Sequence, residues 1–162
     1  NWQFTAGAPQ GNGGTDYTHF PRQAYFLDPE DISRAGPGTL LEIPMSTDYK
    51  HSPGVRRIKQ GVDKIRGRQR SPAVYWLRPS RDNLSAMQRV VERNLASGSD
   101  YVEFMLHSSE FMPGGSPTFK TAADIETLYE NLEQLFAWLQ PQTTGITLFE
   151  YYTARMQAEK RL

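Results

Sequence analysis

Three short apolar runs, at residues 40–45, 73–77 and 101–107, each stand ahead of a stretch in which apolar residues recur at spacings of three and four. A run of five to seven residues has strand length, while the three-and-four spacing marks the buried stripe of an amphipathic helix. The stripes are Val55, Ile58, Val62 and Ile65; then Leu84, Met87, Val91 and Leu95; then Ile125, Leu128, Tyr129, Leu132, Leu135, Phe136 and Leu139. A short extended piece at 145–147 and a last helix carrying Leu148, Tyr152 and Met156 complete the series. Strands and helices that alternate in this way are expected to build an α/β fold of about four parallel strands, each followed by a helix.

The punctuation agrees with these elements. Thr121 with Asp124, and Thr147 with Glu150, have the spacing of reciprocal N-terminal caps. Pro79-Ser80 is expected to open the second helix, Gly98 to close it and Pro141 to stop the third. Pro44 places the first run at a sheet edge or a strand end. Residues 1–39 are rich in Gly, Pro, Asn, Asp and Thr and read as an irregular, loop-rich segment, with one possible helical turn opening at Asp28-Pro29. The remaining residues, 40–162, read as one domain. Because the first residue is Asn1 rather than Met, we expect a processed or trimmed chain, or a piece of a longer one, incomplete at its N-terminal side.

Composition narrows the chemistry. The 162 residues include no cysteine, which excludes disulfides, thiolate metal sites and cysteine nucleophiles and leaves the compartment open between cytoplasm and periplasm. Eighteen Lys and Arg balance eighteen Asp and Glu, an argument against a protein whose main partner is a nucleic acid. No apolar run is long enough for a membrane span. Residues 50–70 nevertheless concentrate Lys50, Arg56, Arg57, Lys59, Lys64, Arg66, Arg68 and Arg70. This run is either a solvated helix face or a site for an acidic glycan, a phosphate or a nucleic acid.

Of the three histidines, His19, His51 and His107, no two have metal-ligand spacing, so a complete histidine metal site within the chain is not expected. His107 ends the third strand beside a Pro-Gly-Gly loop, the position at which parallel α/β folds gather catalytic groups. There it can move a proton near neutral pH, or it can be a buried histidine satisfied by loop amides. Alternation along the strand puts Met105 on the face of His107, where it lines an apolar pocket or fills core, and puts Val102, Phe104 and Leu106 on the opposite face. Ser108, Ser109 and Glu110 cannot form a triad with their neighbour His107, because triad members converge from distant segments; they are expected to cap turn amides. Gly114 and Gly115 read as a tight turn.

The segment 105–119, Met-Leu-His-Ser-Ser-Glu-Phe-Met-Pro-Gly-Gly-Ser-Pro-Thr-Phe, resembles the last catalytic motif of a subgroup of polysaccharide deacetylases. Segment 40–46 resembles the strand that precedes it, and segments 25–31 and 147–150 resemble further parts of those proteins, so the resemblance extends over most of the chain. It implies the C-terminal part of a distorted (β/α)7 barrel. The implied activity is hydrolytic removal of acetyl groups from a polysaccharide or sugar, dependent on a divalent metal such as zinc. His107 matches the family's general acid, and Met105 stands where the family has a leucine that forms the wall for the acetyl methyl. The implied metal ligands and base have no counterpart in this sequence, so the remainder of a barrel is an expected partner alongside the acetylated glycan. The competing expectation is a non-catalytic carbohydrate-binding or scaffold protein of glycan assembly.

Overall fold

A computed structural model describes residues 20–67 and 74–160. The elements run β1 (Tyr25–Phe26), β2 (Leu41–Glu42), β3 (Thr47–Tyr49), α1 (Pro53–Ile65), β4 (Val74–Trp76), α2 (Leu84–Ala96), a 3-10 turn (Ser108–Phe111), α3 (Ala122–Leu139) and α4 (Leu148–Glu159). The expectations for residues 1–19 lie outside the described residues, and so do those for Arg68, Arg70 and Ala73.

Among the described residues the expected parallel sheet and barrel are not present. The strands form two separate antiparallel pairs, β1 with β2 and β3 with β4, each of two strands. The physical reason lies in α1. A parallel return requires the connecting helix to lie back on the sheet and bury its stripe there. Val55, Ile58, Val62 and Ile65 of α1 are all exposed, and none belongs to either core cluster. The chain thus leaves β3, forms a helix in solvent and returns beside β3 in the opposite sense, Thr47 against Trp76 and Tyr49 against Val74. The third expected strand also differs. Residues 101–107 are extended but form no ladder; they are tied to their neighbours by single hydrogen bonds. Residues 145–147 likewise form no strand. Conversely, Tyr25–Phe26 in the loop-rich segment does form one, and the turn at Asp28 is closed by Glu30 and Asp31 amides without becoming helical.

The helices follow local rules more closely. Thr121 accepts from the Asp124 amide while the Asp124 carboxylate accepts from the Thr121 amide, and Thr147 and Glu150 repeat the arrangement. Each such cap contributes about 1 kcal/mol. The second helix starts later than Pro79-Ser80 suggests. The Asn83 side chain accepts from the Ser80 amide and donates to the Arg78 carbonyl, holding residues 78–83 as a turn, with Arg81 in the left-handed region at φ 46°.

The core has two parts that meet at one residue. Leu77, Met87, Val90, Val91, Leu135 and Leu139 pack where α2 meets α3. Phe119, Ile125, Leu128 and Leu132 pack under the other end of α3. Phe104 packs against both. No helix among the described residues is long and apolar enough to cross a membrane.

Candidate functional site

The extended segment 100–107 carries the candidate residues, and its two sides have different surroundings. Val102, Phe104 and Leu106 pack on the two core clusters. Tyr101, Glu103, Met105 and His107 alternate with them and therefore point to the other side. Main-chain ties hold the segment in register. The Ser46 amide donates to the Glu103 carbonyl (3.3 Å), the Glu103 amide to Ser46 Oγ (2.9 Å), and the Met105 amide to the Leu77 carbonyl (3.2 Å). Met105 is half-buried and fixed at its backbone; His107, two residues on, is exposed.

His107 is held by its main chain. Its backbone is extended, at φ −85° and ψ 143°, and it precedes the 3-10 turn. Its amide donates to Glu110 Oε2 (3.0 Å), while its carbonyl accepts from the Glu110 amide (2.9 Å). The other Glu110 oxygen, Oε1, accepts from Arg78 Nη2 at 2.9 Å. The Arg78 carbonyl in turn accepts from Asn83 Nδ2 (2.9 Å) at the N-terminus of α2. A continuous chain, Asn83 to Arg78 to Glu110 to His107, thus fixes where the imidazole starts.

Glu110 is the anchor of this chain, with 2% of its side chain exposed. Burial by itself would raise its carboxyl. The His107 amide, the Arg78 hydrogen bond and charge, and the nearby His107 ring outweigh that effect and hold the carboxyl below the usual glutamate range. The loop that follows is equally constrained. Gly114 has φ 76°, and a Cβ on Gly115 would lie 2.0 Å from the Ser109 carbonyl oxygen, closer than any side chain permits. The expected tight turn is therefore present. Of the capping role expected for Ser108, Ser109 and Glu110, the glutamate performs it on the His107 amide.

Glu103 stands on the same side of the segment, under different conditions. Burial and the neighbouring Glu42 charge both push its carboxyl upward. A carboxyl raised in the folded state contributes stability below its unfolded value, and this is lost as pH rises through the folded value. Glu103→Gln is therefore expected to raise the Tm at neutral pH, with the gain shrinking as acid protonates Glu103 in the parent. Thermal melts across the acidic range check this; a variant no more stable than the parent at neutral pH would refute the assignment.

A cavity of about 1040 Å³ opens beside residues 100–104, between the end of α3 and α4; Tyr101, Glu103, Phe136, Thr147 and Tyr151 are among its lining residues. Neither His107 nor Met105 lines it, so the sequence-derived pair and this hollow are on different parts of the segment. Tyr101 donates to the Pro44 carbonyl (2.6 Å) and Tyr151 to Asp100 (2.9 Å), so both hydroxyls are engaged in structure, and both are raised chiefly by burial.

The other candidates are placed apart from this site. His51 precedes α1 and lies 2.7 Å from Lys59 Nζ; His19 is outside the described residues. Lys50 of the basic run has its Nζ 4.9 Å from the ring centroid of Tyr75, which packs on the first core cluster. Among the described residues no three His, Asp or Glu side chains converge as a metal would require, so they do not fit the metal that the family resemblance implies. Sequence reasoning missed Arg78 as the partner of Glu110. The two are 32 positions apart, and no periodicity links them. Comparison with protein-family models, with curated proteins and with solved structures finds no match.

Proposed function

We propose that this chain supplies the proton-donating side of a site that removes acetyl groups from an acetylated sugar or polysaccharide. The observation that carries the proposal is the held, exposed His107. A buried, ion-paired glutamate positions its main chain, and the residue is exposed at the surface, where a substrate can reach it. In that reaction the oxygen of a water adds to the acetyl carbonyl carbon. The bond from that carbon to the sugar nitrogen or oxygen then breaks, its electron pair stays on the sugar, and acetate departs. His107 gives the leaving atom its proton. Met105, on the same side of the segment, offers an apolar surface to the acetyl methyl. The groups that would activate the water are not among the described residues.

The reading is tested with His107→Ala in the complete protein, following acetate release from acetylated amino-sugar polymers. Loss of a proton donor is expected to lower kcat about 100-fold or more with little change in KM. Unchanged turnover would remove His107 from the chemistry. Binding of the polymer with no acetate release by the parent would favour the non-catalytic carbohydrate-binding reading instead.

A further inference from the structure

We infer that α1 is a docking element for an anionic lipid surface, on which it lies flat without crossing the bilayer. The helix presents two properties together. Val55, Ile58, Val62 and Ile65 form one apolar stripe that belongs to neither core cluster of the described residues, with exposures of 43%, 69%, 40% and 87%. Between Lys50 and Arg66 there are six Lys and Arg residues against the single Asp63, leaving twelve basic against seventeen acidic residues elsewhere in the sequence. The chain is neutral as a whole only because a basic helix offsets an acidic remainder.

Helical geometry arranges these groups for an interface. At 100° per residue, Lys59 and Arg66 flank one edge of the stripe, Gly54 and Gly61 flank the other, and Arg57 and Lys64 occupy the opposite face. Long cations bordering an apolar stripe can lay their stems along hydrocarbon and keep their charges at headgroup level. Arg57, Lys64 and Arg66 have no ion-pair partner among the described residues. Arg56, by contrast, is turned back over the Tyr49 ring at 3.7 Å, which fixes the base of the helix to the body.

Charge complementarity selects the occupant. Two copies of α1 packed stripe to stripe would bring together two strongly basic helices, which repel. A nucleic acid would satisfy the cations and leave four aliphatic side chains in water. An anionic bilayer satisfies both properties at once, about 1 kcal/mol for each nearby Lys or Arg plus burial of the stripe.

The test is flotation of the complete chain with vesicles of about seven parts phosphatidylcholine to three parts phosphatidylglycerol, against phosphatidylcholine alone. At low salt the anionic vesicles are expected to retain the protein about tenfold better or more. Ile58→Ser with Ile65→Ser is expected to weaken that retention about tenfold or more without changing the melt, since both side chains are exposed. Lys59→Gln with Arg66→Gln, the two cations that border the stripe, is expected to weaken it comparably and to flatten its salt dependence. Equal retention on both vesicle types overturns the inference. So does full retention by the isoleucine variant, which would reveal a purely electrostatic patch, or binding to duplex DNA with none to vesicles.

Discussion

Arg78→Ala is expected to cost about 2–4 kcal/mol at neutral pH, a large share of the stability of a domain this size. The estimate follows from where the two charges sit. The Glu110 side chain is almost wholly buried, whereas that of Arg78 is 33% exposed, so water already screens part of the pair and the cost falls below the roughly 3–5 kcal/mol of a fully buried ion pair. Removing Arg78 leaves the carboxylate buried with the His107 amide as its one remaining donor among the described residues. The pH dependence identifies the cause. In the parent the Glu110 carboxyl is depressed, so its contribution is present above the ordinary glutamate value and is lost as pH falls through the folded value. In the variant burial is opposed only by the His107 groups, and protonation relieves the buried charge. The gap between the two proteins should therefore be widest at neutral pH and narrow in acid. Urea denaturation at both conditions reads this directly, and a gap independent of pH would mean that Arg78 acts through packing alone. Glu110→Gln added to Arg78→Ala should recover part of the loss.

Phe119→Ala is expected to cost about 3–5 kcal/mol. Phe119 is 1% exposed and packs in a cluster with Ile125, Leu128 and Leu132 on the inner face of α3. It also ends the loop behind His107. Its carbonyl accepts from the Gly114 amide (3.0 Å), and its amide donates to Ser116 Oγ (3.1 Å). The ring therefore pins a loop that is otherwise held by hydrogen bonds at the surface. A cost under about 1 kcal/mol in urea denaturation would show that the loop carries its own order and that the second cluster closes around the gap.

What the sequence made legible depended on range. The caps at Thr121 and Thr147 and the stripe of α3 are local, each decided within four residues; the caps are present as read, while of the stripe Tyr129 and Phe136 are exposed and the five aliphatic residues are buried. The periodicity of α1 was equally visible, but a stripe says that a helix has an apolar face and not what covers it. Strand direction hung on that missing fact. With α1 lying against nothing in the core, β4 returned antiparallel and the expected barrel did not form. Tyr25–Phe26 escaped notice because two residues show no period. At the site, alternation was enough to separate Phe104 and Leu106 from Met105 and His107. The pairing that anchors His107 was not legible, since Arg78 and Glu110 meet only after α2 and the extended segment have packed.

The exposed α1 divides the chain into two parts that are joined again through space. Before it lie Phe26, Pro44, Ser46, Thr47 and Asp48. After it lie their respective partners: Tyr152, 6.1 Å away between ring centroids, the Tyr101 hydroxyl, the Glu103 main chain, Asn94 and Arg93. The Ala24 carbonyl accepts from Arg155, 131 positions later. Covalent continuity through α1 is thus only one of several links between the two parts. Cut within that helix, the protein has the makings of a split pair: two fragments with complementary surfaces, whose reassociation would restore the register of the segment that carries His107.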